Sequence, residues 1–147
     1  MIRQIGQLIE GHPLIHAKPS EAVREAAKRM SKANVGAIAV LDSNRLVGVF
    51  SERDVMSRVV AEGLDPDKTP VSNVMTKDLV VADPRDSVDS ALAKMHSVGC
   101  RHLPVVKDGS LVGMLSIRDL LEVDDEDNTN RVRFLRELVT YSPDYES

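Results

Sequence analysis

Aromatic side chains are scarce, with two Phe, two Tyr and no Trp in 147 residues. The interior must therefore be built from Val, Leu, Ile, Ala and Met. A single cysteine, Cys100, excludes an intrachain disulfide and argues against a zinc cluster; a buried or half-buried free thiol is its ordinary reading. The four histidines (His12, His16, His96 and His102) follow no metal-ligand spacing, so no metal site is expected. Positive charge is not in excess either. The formal net charge of -4 disfavours nucleic acid, whose phosphate backbone calls for a basic surface. No apolar run approaches the length of a membrane span. The stretch Met1 to Glu10 lacks a signal-peptide pattern, and a soluble cytoplasmic protein is the expectation.

What the chain does have is an internal repeat. Residues 17–54 align with 82–119 without a gap, and Ala17, Pro19, Val23, Ala26, Met30, Val40, Leu46, Val47, Gly48, Ser51, Arg53 and Asp54 each have an identical twin. A gap-free match of this length marks a duplication. Within each copy an extended piece (Ile15–Lys18, then Leu79–Ala82) runs into a proline, which biases its predecessor away from helix. A helix follows, capped in the first copy by Ser20, carrying Val23, Ala26, Ala27 and Met30 on one face and stopping at Asn34. Lys28, Arg29 and Lys32 are expected outside it. Two strands come next, turned at Asp42-Ser43-Asn44 and at Asp108-Gly109. In the first copy a last helix starts at Ser51, with Val55, Met56, Val59 and Val60 inward, and ends at Gly63; in the second it runs from Ser116 to Val123.

The fold class is therefore α/β (α+β), with two β-α-β-β-α repeats. A unit that small buries its core poorly alone, so the two are expected to pack with pseudo-two-fold symmetry and a cleft between them. The chain divides into a first repeat with an N-terminal helical segment (1–63), a linker (64–70), a second repeat (71–123) and a tail (124–147). The tail holds the acidic run Asp124 to Asp127 and an amphipathic helix marked by Val132, Leu135, Leu138 and Val139. That helix either docks on the core or makes a dimer contact.

Chemistry concentrates where the last strand of each repeat meets its helix, at Gly48–Asp54 and Gly113–Asp119. A lone Ser-x-x-Asp at a helix start is explained by a capping box, in which hydroxyl and carboxylate satisfy free backbone N–H groups. Here it recurs in register, with Arg53 or Arg118 before each aspartate. Arginine and a helix start accept phosphate, and a carboxylate suits the vicinal hydroxyls of a ribose. Together they point to a nucleotide. No nucleophile–base pair is visible, so an enzyme is disfavoured and no catalytic residue is assigned.

The repeat resembles the CBS (cystathionine β-synthase) domain, and the tandem resembles a stand-alone Bateman module. The marks are Gly48-Val49-Phe50-Ser51-Glu52-Arg53-Asp54, its second copy Gly113 to Asp119, Arg101-His102-Leu103-Pro104-Val105-Val106, and Val74-Met75-Thr76. The resemblance implies a regulatory sensor of an adenosyl ligand (AMP, ADP, ATP, NAD or S-adenosylmethionine) that binds in the inter-repeat cleft and signals to a separate effector protein, commonly as a homodimer. It places Asp54, Asp119, Ser51 and Ser116 at the ribose and Arg53, Arg118, Arg101 and His102 at phosphate. The base falls to His16, Ala17 and Lys18 with Ala37 and Ile38, and to Val81, Ala82 and Asp83 with Leu103 and Pro104. Where the second copy has Arg101 and His102, the first has Gly36 and Ala37, so the two sites are expected to differ in ligand or affinity. A ligand-free interaction module is the alternative.

Overall fold

The computed structural model describes residues 4–122 and 136–138. The short helix α1 (Gly6–Ile9) comes first, then strand β1 (His16–Ala17) and helix α2 (Val23–Ala33). Strands β2 (Ala37–Asp42) and β3 (Arg45–Ser51) follow, and helix α3 (Glu52–Asp54) continues as a π-helical turn over Val55–Val60. After a 3-10 turn at Val71–Asn73 the second copy contributes α4 (Val88–Val98), β4 (His102–Lys107), β5 (Ser110–Ser116) and α5 (Ile117–Leu121).

The first copy builds a three-stranded sheet in the order β1-β2-β3. β1 lies parallel to β2, with His16 opposite Ala39 and Ala17 opposite Val40. β2 and β3 form an antiparallel hairpin in which Ala37 faces Ser51 and Val40 faces Gly48. At its tip Ser43 and Asn44 both take positive φ, as a two-residue I′ turn requires. In the second copy β4 and β5 pair, Asp108 and Gly109 take positive φ, and the β1 equivalent shrinks to a single parallel bridge, Ala82 to Val105.

Asn34 closes α2 in the left-handed conformation, donating its N–H to the carbonyls of Met30 and Ser31. The start of α2 differs from the sequence expectation. Ser20 does not cap it; the cap position is Ala22, which offers no side-chain bond. The linker closes this helix end instead: Val23 N–H donates to the Thr69 carbonyl (2.9 Å) and Arg24 N–H to that of Pro66 (3.0 Å). In the second copy Ser87 caps α4 by accepting from the Ser90 N–H at 3.0 Å.

The helix after β3 also departs from expectation. Val59 is buried, but Met56 and Val60 are exposed, at 41% and 70%. The π turn explains this: Ala61 N–H reaches the Met56 carbonyl and Leu64 N–H that of Val59, each five residues back, which widens the turn and rotates the apolar face. Arg29, expected outside, is half-buried.

The described chain forms two compact units that do not follow the repeat boundaries. One gathers 4–12, 80–107 and the described residues from 112 onward; the other gathers 13–79 and 108–111. The opening segment of each repeat thus completes the core of the other. Ile5 and Ile9 are buried in a cluster with Leu92, Met95, Leu103 and Leu115. Ile5 N–H donates to the Asp86 carbonyl and Gly6 N–H to that of Pro84, both at 2.9 Å. Val71, Val74 and Met75 join Val23, Met30, Ile38 and Phe50 in the other cluster. Two equivalent glycines permit the exchange. A Cβ on Gly113 would lie 2.7 Å from Ile9 Cδ1, and one on Gly48 would lie 2.5 Å from Met75 Sδ. Of the tail, Leu138 is buried in the first of these clusters; Asp124–Asp127, Val132, Leu135 and Val139 lie outside the described residues.

Candidate functional site

Each repeat fixes its strand–helix turn by the same bonds. Glu52 N–H donates to the Gly36 carbonyl (2.9 Å), and Ile117 N–H to that of Arg101 (2.8 Å). Gly36 and Arg101, the residues just ahead of β2 and β4, are therefore held beside the two helix starts. Both turns carry a complete capping box. Asp54 Oδ2 accepts from Ser51 N–H (2.9 Å) and Ser51 Oγ (3.1 Å), while Ser51 Oγ accepts from Asp54 N–H (3.2 Å). For Asp119 and Ser116 the corresponding distances are 2.8, 3.0 and 3.2 Å.

Beyond the box the two aspartates differ. Asp54 is 4% exposed. Its second oxygen, Oδ1, accepts from Thr76 Oγ1 at 3.3 Å and faces Arg58 Nε at 3.8 Å. Arg58 in turn donates to the carbonyls of Val74 (3.1 Å) and Met75 (3.0 Å), tying the helix to the opening segment of the second repeat. Asp119 is half-buried, and among the described residues its Oδ1 has no such partner. Burial pushes the Asp54 carboxyl above its ordinary 3.8, against the lowering effect of the Ser51 backbone and hydroxyl, Arg58 and Thr76.

That shift has a testable sign. A native pKa above the unfolded one means that protonation favours the fold; the gain is complete below the unfolded value of 3.8 and is lost as pH rises through the raised native value. Urea unfolding at stepped pH should therefore show wild type gaining on Asp54→Asn as pH falls from neutral towards about 4. A pH-independent difference between the two proteins would show that Asp54 titrates alike in both states.

The other predicted residues fall as follows. Arg53 is half-buried with its Nε enclosed, Arg118 is exposed, and Arg101 and His102 are half-buried. Ala17, Ala82, Ala37, Ile38, Leu103 and Pro104 are buried. The side chains of Ile38 and Leu103 belong to the two cores. His16, Lys18 and Val81 are exposed. Asp83 is half-buried and bound by Arg85 through Nε (2.9 Å) and Nη2 (3.1 Å), which holds its carboxyl at about 2.

Sequence reading missed Arg58 and Thr76, and also a duplicated arrangement behind the pre-proline strands. Arg29 donates to the His16 carbonyl and to Glu21. Lys94 donates to the Val81 carbonyl (3.0 Å) and to Asp86 (2.9 Å). Glu21 also accepts from Lys18 N–H, and Asp86 from Asp83 N–H, both at 3.0 Å. Every member has its counterpart at the repeat offset, but none is identical. Comparing charge rather than identity between the copies would have found them.

The CBS domain family matches residues 5–61 and 71–126 of the chain. The chain belongs to that family. It is 42% identical over 105 residues to an uncharacterized 17.7 kDa protein in the bps2 3' region of Acidianus ambivalens, covering 70% of this chain and 62% of that protein. It is 39% identical over 102 residues to the CBS domain-containing protein YhcV of Bacillus subtilis, covering 69% of this chain and 72% of that one. Among solved structures it resembles the CBS domain protein PAE2072 from Pyrobaculum aerophilum complexed with AMP, at TM-score 0.76 and 32% identity, over 94% of this chain and 99% of that one. Among the described residues no helix is long and apolar enough to cross a membrane.

Proposed function

We propose that this protein is a regulatory sensor of an adenosyl compound, binding it at the strand–helix turns of the two repeats and passing its occupancy to a separate effector protein. The observation that carries the reading is the likeness to an AMP-bound CBS protein over almost the whole of both chains. The duplicated turns supply fitting chemistry. Asp119 and Asp54 accept from ribose hydroxyls beside Ser116 and Ser51, while Arg118, Arg53, Arg101 and His102 take the phosphates. The base meets the pre-proline strands at His16–Lys18 and Val81–Asp83 and the starts of β2 and β4. The second repeat is the stronger site in this reading, because Asp119 keeps an oxygen that in Asp54 is engaged by Thr76 and Arg58. A homodimer belongs to the same proposal, on the exposed Met56, Val60 and Leu64 after α3.

Thermal unfolding with AMP, ADP, ATP, NAD and S-adenosylmethionine tests it. A ligand at a hundred times its dissociation constant adds about 2.7 kcal/mol, a rise of roughly 5–10 °C for a chain of this size. The rise should fall further in Asp119→Ala than in Asp54→Ala. No rise with any compound would remove the sensor reading, and sedimentation of the same samples as monomers would remove the dimer. One observation favours a second reading, a ligand-free interaction module: both carboxylates are already used as helix caps. Equal loss of stability in the two alanine variants, with no ligand effect in wild type, would establish it.

A further inference from the structure

We propose that Arg29 and Lys94 are positioning residues for base selection, each fixing the outward-facing backbone of its repeat's pre-proline strand. The inference rests on the sensor reading above. Its basis is an arrangement found twice with different side chains. In each repeat a cation from the first long helix grips the carbonyl two residues before Lys18 or Asp83, and grips the carboxylate that takes the N–H of that same residue. Arg–Glu stands in one copy and Lys–Asp in the other, so what the two copies share is the constraint on the backbone, not the residues. The Arg29–Glu21 and Lys94–Asp86 pairs are half-buried and still open to solvent, and ion pairs so placed add only modestly to stability while immobilising long side chains. Stability therefore gives little reason for both copies to hold this arrangement.

Ala82 spends its N–H on the Pro104 carbonyl (2.9 Å) and its carbonyl on Val106 N–H (2.8 Å). Asp83 gives its N–H to Asp86 and its carbonyl to Asp86 N–H (2.9 Å). Strand backbone groups alternate in direction from residue to residue. With Ala82 turned towards β4, Val81 turns its N–H and carbonyl outward. His16 does the same beside β2, where Ala17 pairs with Val40. A carbonyl has two lone pairs, so that of Val81 can hold the Lys94 ammonium and still accept from a ligand. One donor beside one acceptor complements adenine, which presents a ring nitrogen next to its N6 amine. It does not complement guanine in the same pose, because on the N7 edge guanine presents two acceptors and on the N1 edge it reverses the order, with N1–H a donor and O6 an acceptor. Lys94 and Arg29 set the direction of the acceptor half of that pair.

The test uses the full chain as wild type, Lys94→Met, Lys94→Arg, Arg29→Met and Arg29→Lys, with AMP and GMP as probes in calorimetric titration. Each Lys/Arg exchange installs the cation the other repeat already uses, and should keep the wild-type preference for AMP over GMP. Each Met variant should lose about tenfold of that preference at its own repeat, the worth of one well-placed hydrogen bond. Amide exchange at Asp83 or Lys18 should quicken in the matching Met variant before any ligand is added. Wild type binding AMP with a preference unchanged in both Met variants overturns this proposal alone. Wild type binding neither nucleotide overturns this proposal, and the sensor reading falls with it only if ADP, ATP, NAD and S-adenosylmethionine also fail to raise the unfolding midpoint. A preference lost equally in the Met and the Lys/Arg variants also overturns it, because cation chemistry would then not be what matters.

Discussion

Removal of residues 1–12 should strip exchange protection from the amides of 80–122 well before those of 13–79. The deleted segment is distant in sequence from the region that responds, which makes the result diagnostic. Ile5 is fully buried and Ile9 is 7% exposed, within a cluster otherwise drawn from the second repeat and Leu138 of the tail, and Leu8 packs against it. Burial of an aliphatic side chain is worth about 1.5–3 kcal/mol, and area-based sums overstate the gain because the unfolded chain is already partly collapsed. Three such side chains lost together should cost about 4 kcal/mol. Two backbone bonds go as well, leaving the carbonyls of Pro84 and Asp86 to water. Hydrogen exchange read by mass spectrometry locates the loss. An unchanged unfolding midpoint would contradict the packing, and equal loss over 13–122 would mean that both units open together.

Gly48→Val is the second large effect. A Cβ there would stand 2.5 Å from Met75 Sδ, 2.9 Å from Met75 Cγ and 3.1 Å from the Thr76 carbonyl oxygen. The thioether can move; the carbonyl cannot, because the Val49 and Thr76 backbones exchange hydrogen bonds of 3.0 and 2.9 Å in an antiparallel bridge. Overpacking of this kind costs about 1–3 kcal/mol, and three added carbons against fixed backbone belong at the top of that range. At about 4 °C per kcal/mol the midpoint should fall by roughly 10 °C. Adding Met75→Ala removes the sulfur clash but not the backbone one, so the double variant should recover only part of the loss. Full recovery would show that Met75 alone makes glycine necessary, and no loss in the single variant would refute the close approach. Arg58 also donates to the Met75 carbonyl, so displacement of the 74–76 segment would disturb Asp54 as well.

The sequence was most legible where local chemistry decides the structure. Asn34 at a left-handed helix stop, Ser43-Asn44 and Asp108-Gly109 at hairpin tips, and Ser51 with Asp54 in a capping box are short-range matters, and residue type announces them. Elements whose closing groups come from afar were not legible. Ser20 looked like a cap, yet carbonyls of Pro66 and Thr69 do the work, more than forty positions on. Val60 was expected inside because a 3.6-residue period puts it there, and a π turn carries it outward. At the candidate site, identity between the copies revealed Ser, Arg and Asp. It concealed Glu21 with Asp86 and Arg29 with Lys94, which keep charge and change residue, and Thr76, whose counterpart at the repeat offset is Gly11.

The crossed opening segments also govern how assembly depends on dilution. Neither repeat, taken as a contiguous stretch of sequence, contains its whole interior: residues 5–9 finish one unit and residues 71–76 the other. As two separate polypeptides, the repeats would complete their cores only by meeting, and their folding would follow mass action. In a single chain the missing piece is always present at the effective concentration that its tether sets. Tandem fusion therefore turns what would be a bimolecular association into a step whose equilibrium ignores how much protein there is.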